Sequence, residues 1–336
     1  TAVLISEISS ACVCVVRGRL IHWSPSLTLV PSRGCFNRCG YCSFRLPPDQ
    51  AEPLSAAAAE AQIAGRPQAL EVLLLSGEVA PGSPLRRPWF QHLIRLSRLA
   101  LAAGRLPHTN AGPLTRHEMA ALGRLNPSMG LMLEGLGPAY DALHRQAPSK
   151  RLEVRVGQLE QAGRLGIPFT SGLLLGVGES WDDRRAALQL LADLQRRWGH
   201  LQEVILQPWR PDGAGATPLS AGEQADLLEL IGLARQLLPP EVHLQMPPNL
   251  WPLAALPAAL EAGIDDLGGI DLADVINPAY PQPSPRQLMP QLAERGWQLR
   301  PRLCVHRHWW PWLPGALRQR VERLAQGLAS AAGCAC

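Results

Sequence analysis

Cys35-Phe-Asn-Arg-Cys39-Gly-Tyr-Cys42 is the stretch of this 336-residue chain best equipped for chemistry. Its three thiols, four and three positions apart, follow an apolar run at 27–30 and the breaker Pro31-Ser32-Arg33-Gly34. Three thiolates can ligate three irons of a [4Fe–4S] cluster and leave the fourth iron without a protein ligand. An iron left open in this way can take a small molecule. A structural zinc wants four closed ligands, usually as CxxC pairs, and no fourth Cys or His lies nearby in the sequence. Buried, unligated thiols are the third reading of the same residues.

Such a loop needs a frame. From residue 23 onward short apolar strands alternate with amphipathic helical patterns. Strands are expected at 27–30, 71–77, 106–110, 128–134, 167–175, 203–207, 242–246 and 265–270. Helices are expected at 53–65, 89–103, 115–122, 139–145, 152–165, 182–198, 221–238 and 252–262. Alternation of this kind implies parallel strands joined by right-handed crossovers. Eight units favour an α/β fold of the (β/α)₈, TIM-like barrel kind, with an open six-strand sheet as the alternative. In either, function gathers at the C-terminal ends of the strands. Residues 1–22 carry no clear pattern and read as a lead-in, 23–270 as the barrel, and 271–336 as a Pro-rich, Trp-rich C-terminal extension. That extension is expected either to cover the barrel mouth or to pack outside it.

Composition narrows the classes. Apolar residues make up 46% of the chain, enough for a sizeable core. The net charge is only +4, and all but one of the 32 basic residues are Arg, scattered along the chain; Lys150 is the exception. Basic runs with interleaved aromatics are missing, so no nucleic-acid partner is expected. No apolar run reaches the ~18 residues of a membrane span, and the start lacks the basic region of a signal peptide. The eight cysteines show no disulfide framework, so a reducing cytoplasm is expected.

The cysteine spacing resembles the CxxxCxxC loop of radical S-adenosylmethionine enzymes, where the methionyl amine and carboxylate of that cofactor occupy the open iron. Groups at predicted strand ends suit the same molecule. Gly77 would let backbone approach a ligand closely, and Glu78 offers a carboxylate to the methionyl ammonium. Glu134 could accept from ribose hydroxyls, and Arg155 could grip the methionyl carboxylate in a fork. Gly176 would leave flat backbone for adenine, and Tyr41 supplies an aromatic contact. Singly, each has a plainer reading: an acid at a strand end is often a helix cap, Arg155 a solvated helix residue, Ser76-Gly77-Glu78 an ordinary turn. Their shared location with the cysteine loop favours the functional reading. Cys304-Val-His306-Arg-His308 lacks the second half of a metal site, and Gly176-Val-Gly178 lacks the third glycine of a dinucleotide fingerprint.

Longer stretches carry a more specific resemblance. Trp23-Ser-Pro-Ser-Leu-Thr-Leu-Val-Pro31, the cysteine loop through Arg45, Leu-Pro-His-Thr-Asn-Ala-Gly-Pro113, Met-Gly-Leu-Met-Leu-Glu134 and His144-Arg-Gln-Ala-Pro-Ser-Lys150 are similar to the FO synthase subunit 1 (CofG) family. So are Gly172-Leu-Leu-Leu-Gly-Val-Gly-Glu179 and Trp198 to Pro208, which carries the likeness over roughly residues 23–285. The resemblance implies a radical carbon–nitrogen lyase of deazaflavin biosynthesis, with a [4Fe–4S] cluster on Cys35, Cys39 and Cys42. S-adenosyl-L-methionine would be held by Glu78, Glu134 and Arg155. The implied substrate is the tyrosine-derived adduct 5-amino-5-(4-hydroxybenzyl)-6-(D-ribitylimino)-5,6-dihydrouracil, made by the partner subunit 2 (CofH), and the third ring closes with loss of ammonia. An electron donor is also implied. Asn110, Asp271 and Asn277 lie near the predicted mouth and could grip the ribityl or uracil part; a cap or turn role is the alternative for the last two. Other radical S-adenosylmethionine enzymes (CofH-like, menaquinone-pathway or biotin-synthase-like) and a non-catalytic iron–sulfur protein are the competing readings.

Overall fold

The computed structural model describes residues 19–211 and 216–333. Among the described residues nine strands form one sheet: β1 (Arg19–Leu29), β2 (Glu71–Leu75), β3 (Leu106–Asn110), β4 (Ser128–Gly130), β5 (Phe169–Leu175), β6 (Leu201–Pro208), β7 (His243–Gln245), β8 (Asp266–Ile270) and β9 (Trp297–Pro301). Their order is β2-β3-β4-β5-β6-β7-β8-β1-β9, and β1 also pairs with β2, so the first eight close into a barrel. Every pairing is parallel.

The helices are α1 (Ala56–Ala64), α2 (Arg86–Ala102), α3 (Arg116–Gly123), α4 (Pro138–Leu143), α5 (Leu152–Arg164), α6 (Trp181–Trp198), α7 (Ala221–Leu237), α8 (Leu256–Ala262), α9 (Pro285–Ala293) and α10 (Gly315–Gly333). The entries of α3, α6, α7 and α9 are fixed by capping boxes: Thr115 with Glu118, Ser180 with Asp183, Ser220 with Glu223 and Ser284 with Gln287. Satisfying the first orphan amides in this way pins where each loop ends. The apolar stripes of the helices, such as Leu93, Leu159, Leu188, Leu191, Leu230 and Ile231, are buried in one core between helices and sheet.

Three boundaries differ from expectation. β1 starts at Arg19, inside the expected lead-in, because Arg19–Trp23 has a partner in β9 that the Pro-rich text before it conceals. β4 stops at Gly130 as a regular strand, because Glu134 takes φ 74°, the only non-glycine residue in the left-handed region among the described residues. A lone bridge, Glu134 to Leu173, resumes the pairing there.

The third difference concerns the extension, which divides between the two ends of the barrel. Ile276 and Asn277 lie at the mouth, where they line cavities with Tyr41 and Cys42, and the part from Arg302 onward closes the opposite end. Arg302 bonds both Asp266 Oδ1 (2.8 Å) and Glu203, the Cys304 carbonyl accepts from Ser128 Oγ (2.6 Å) and Gln202 Nε2 (3.0 Å), and Trp309 Nε1 donates to the Gly199 carbonyl. Leu303, Val305, Trp309, Leu313 and Val321 form a small core beneath Leu106. Glu203, Asp266 and His306 lie close enough to hold a metal ion, but Arg302 already bridges the two carboxylates, so the group is a closed ion-pair network.

Taking Arg302 away strands two buried acids. Arg302→Ala is expected to lower stability by about 3–5 kcal/mol, the cost of breaking one side of a buried pair. Urea unfolding measures it; an unshifted midpoint would mean that this floor contributes nothing.

Candidate active site

The cysteine loop fills the connection between β1 and α1, at the C-terminal ends of the strands. Backbone bonds fix it to three neighbours. Cys35 N–H donates to the Leu46 carbonyl (3.0 Å) and Phe36 N–H to the Glu78 carbonyl (3.0 Å). Arg38 and Gly40 donate to Gln146 (2.8 Å) and Leu143 (3.2 Å) beyond β4. Gly77 donates to the Ser32 carbonyl at 2.7 Å, and a Cβ on it would fall 2.4 Å from the Gly34 oxygen. The missing side chain of Gly77 therefore admits the cysteine loop's own backbone. Gly77 also lines the cavity below.

Cys35, Cys39 and Cys42 are unpaired, half-buried and line one cavity of about 200 Å³. Among the described residues, no other cysteine and no histidine lines it. Three thiols with no fourth Cys or His among the described lining residues suit an inorganic group that keeps one position open, whereas a structural zinc takes four protein ligands. Burial raises the Cys35 thiol and pushes Cys39 up to about 12. Loading such a group therefore releases protons, and its affinity falls with falling pH.

Two acid–base clusters face the sulfurs. Burial alone would raise Glu78, but Arg155, Lys150 and the Ser149 hydroxyl outweigh it and hold the carboxyl at about 2. Arg155, only 1% exposed, donates to Glu78 Oε1 at 2.8 Å, while Asn37 Nδ2 (3.0 Å) and the Ser149 hydroxyl reach Oε2. Arg155 Nε is buried and has no acceptor among the described residues, and the Arg155 side chain lines the cavity. In the second cluster, Lys150 pairs with Glu134 Oε1 and the Tyr41 hydroxyl donates to Oε2 at 3.0 Å. Burial works against the Glu134 charge, yet Lys150 and Arg155 keep its carboxyl below the usual range. Burial, with Glu134 beside it, holds the Tyr41 phenol well above its ordinary value, so it stays protonated and donates.

The expected residues divide as follows. Tyr41, Gly77, Glu78, Asn110, Glu134 and Arg155 line the cavity with the three cysteines. Gly176 lies outside the lining: it is exposed, and its amide is taken by Glu179 Oε1 at 2.8 Å. Asp271 also lies elsewhere, because its carboxylate accepts from the Thr28 amide (2.7 Å) and Arg66 (2.5 Å) and so ties β8 to β1. Asn277 lines a side cavity of about 50 Å³ with Tyr41 and Cys42, its amide held by Asp274 Oδ2 at 2.9 Å. Sequence reasoning did not foresee Asn37, Ser149 or Lys150. Lys150 carried a usable signal as the one lysine in an Arg-only chain, and Asn37 sits inside the motif itself. Ser149 carried none.

Comparison with known proteins gives the same picture. The radical SAM superfamily profile matches residues 29–191. The 7,8-didemethyl-8-hydroxy-5-deazariboflavin synthases of Thermosynechococcus vestitus and Synechococcus elongatus are each 49% identical, over 91% and 90% of this chain and 98% and 91% of their own. That of Synechocystis is 46% identical over 90% of this chain and 98% of its own. Among solved structures, the FeFe-hydrogenase maturase HydG from Carboxydothermus hydrogenoformans superposes with TM-score 0.67 at 20% identity, over 85% of this chain and 68% of that one. Methylornithine synthase (PylB) gives 0.60 at 14%, over 84% and 83%. These two likenesses concern the fold alone. Identity near one half along nine-tenths of the chain says more: the chain belongs to the 7,8-didemethyl-8-hydroxy-5-deazariboflavin synthase family of radical SAM proteins.

Proposed function

We propose that this chain catalyses the activity its relatives are named for, formation of 7,8-didemethyl-8-hydroxy-5-deazariboflavin. The reaction closes the third ring of a tyrosine-derived pyrimidine adduct and expels ammonia. The observation that carries the reading is the cavity in which three cysteines of one loop, with no fourth cysteine or histidine among the described residues, face Glu78–Arg155 and Glu134–Lys150. A [4Fe–4S] cluster on Cys35, Cys39 and Cys42, with S-adenosyl-L-methionine beside it, would supply one-electron cleavage of a sulfonium and hence hydrogen-atom abstraction from the substrate.

The protein's own residues bind, orient and exclude water. The Arg155 guanidinium at the cavity wall would pair with a carboxylate, and Glu78, ionised throughout the physiological range, would accept from an ammonium. Glu134 accepts from Tyr41 and Lys150 and keeps lone pairs for a hydroxylated ring. Leu75, Met132 and Leu174 give the cavity an apolar wall that limits water around the reacting groups. Asn110 on β3 lies deepest of the expected substrate contacts, and Asn277 stands beside Tyr41 and Cys42 at the rim. The partner subunit CofH, or its released product, would deliver the adduct, and a one-electron donor would serve the cluster loop. A cytoplasmic setting, reducing enough for an iron–sulfur centre, fits the four described cysteines, all of them free.

Anaerobic reconstitution with iron, sulfide, dithionite and S-adenosyl-L-methionine, followed by addition of the adduct, is expected to give deazaflavin fluorescence. 5′-Deoxyadenosine without fluorescence would move the assignment to another radical enzyme, and neither product would favour a non-catalytic role. Cys35→Ala is expected to lose bound iron and turnover together; retained iron with full activity contradicts the ligand set. Lys150→Met should weaken S-adenosyl-L-methionine binding about tenfold, the ~1.4 kcal/mol of one charge-assisted contact, and leave the cluster spectrum intact. An unchanged affinity removes Lys150 from the site. Because the folded-state pKa of Glu78 is depressed, its stabilisation is complete above its unfolded value near 4.5 and is lost as pH falls toward about 2. The stability gap between the native protein and Glu78→Gln should therefore narrow from pH 7 to pH 3.5, and a constant gap in urea titrations would contradict the shift.

A further inference from the structure

Beneath the cysteine cavity the barrel is hollow. A second cavity, of about 150 Å³, is lined by alternate residues of the strands, among them Glu71, His108, Gly130, Thr170 and Gln245. Asn110 and Met132 line both cavities, so the two form one column along the barrel axis. An eight-stranded barrel ordinarily fills this space with layers of bulky side chains. Here glycines make room for polar side chains instead. A Cβ on Gly130 would lie 2.9 Å from His108 Nε2, and one on Gly268 would lie 2.1 Å from Gln245 Nε2. The two polar side chains lie over bare α-carbons.

The hydrogen-bond roles inside can be assigned. Ser128 Oγ has one proton, and it is donated to the Cys304 carbonyl at 2.6 Å, since a carbonyl can only accept. The 2.7 Å contact between Ser128 Oγ and His108 Nδ1 must then run from Nδ1–H to the hydroxyl oxygen. Burial keeps the ring neutral, near 4, so Nε2 is left as a lone-pair acceptor beside the cavity, with no donor among the described residues. The side-chain amides of Asn110 and Gln245 likewise make no hydrogen bond among the described residues, and each can donate and accept. Burial raises the Glu71 carboxyl to about 7, so near neutrality it is both acid and base. Thr170, Glu203 and Arg302 are already paired with one another and complete the floor.

We infer that this lumen seats the hydroxyl-rich chain of the substrate, with His108 Nε2 accepting from one hydroxyl and the Gln245 and Asn110 amides bridging others. The inference rests on the deazaflavin reading above and deepens it. An aryl group in the same place would leave every one of these atoms unpaired, whereas each hydroxyl of a polyol brings one donor and two lone pairs. With the chain below, the fused rings lie in the upper cavity, beside the cysteine loop.

The fluorescent product offers a direct probe that does not depend on turnover. Binding of 7,8-didemethyl-8-hydroxy-5-deazariboflavin to the full chain is compared with binding of the same ring system carrying an n-pentyl chain in place of ribityl. His108→Phe and Gln245→Leu are each expected to weaken the ribityl compound about tenfold, the scale of one lost hydrogen bond, and to change the pentyl compound less than about twofold. Equal losses for both compounds, or none for either, overturn the inference. Should His108→Phe fail to fold, Gly130→Ala displaces the imidazole by its added methyl and is expected to give the same selective loss. Native protein that converts the adduct but shows no ribityl preference sinks this inference alone. Native protein that neither makes nor binds the deazaflavin sinks the proposed function and this inference with it.

Discussion

Charge neutrality under the cysteine loop is the constraint on which the site depends. Glu78, Glu134, Lys150 and Arg155 are four buried charges within one cavity wall, and a buried charge without a partner costs several kcal/mol. They balance as two pairs. The balance also suits a zwitterionic guest, because a bound ammonium and carboxylate can share the same partners without changing the net charge. Each pair has extra hydrogen bonds from neutral groups: Asn37 and Ser149 on Glu78, Tyr41 on Glu134. These fix the carboxylates before any ligand arrives, so little ordering cost falls on binding.

The same pairs hold separate elements together. Glu78 follows β2, Arg155 lies on α5, Asn37 lies in the cysteine loop, and Ser149 and Lys150 belong to the turn before α5. The loop that carries the sulfurs is thus attached to the barrel through the residues that would hold the cofactor. Glu134 takes a left-handed backbone, a conformation that costs a non-glycine residue of order 1 kcal/mol. In return its carboxylate turns toward Lys150 and Tyr41 and lines the cavity.

The barrel, its eight units and the three cysteines were legible because they rest on local signals: alternation of apolar runs, capping residues, and ligand spacing within eight positions. Glu78 and Glu134 could be picked out as cavity-lining residues because each lies just after a strand, and Arg155, within α5, because of the family resemblance. Long-range pairings were not legible. The contact between β1 and β9 joins residues nearly 280 positions apart, and nothing in either stretch marks the other. Asp271 was misread for the same reason, since a strand-end carboxylate near the mouth looks alike whether it meets a ligand or, as here, Arg66 and the Thr28 amide. Gly77 shows the converse: the need for a bare α-carbon was visible, but what approaches it was not.

The sealed floor has a kinetic corollary. With Arg302, Cys304 and His306 across the lower end, a guest seated in the lower cavity would reach it past the cysteine loop. Such a guest would enter before the occupant of the upper level and depart after it.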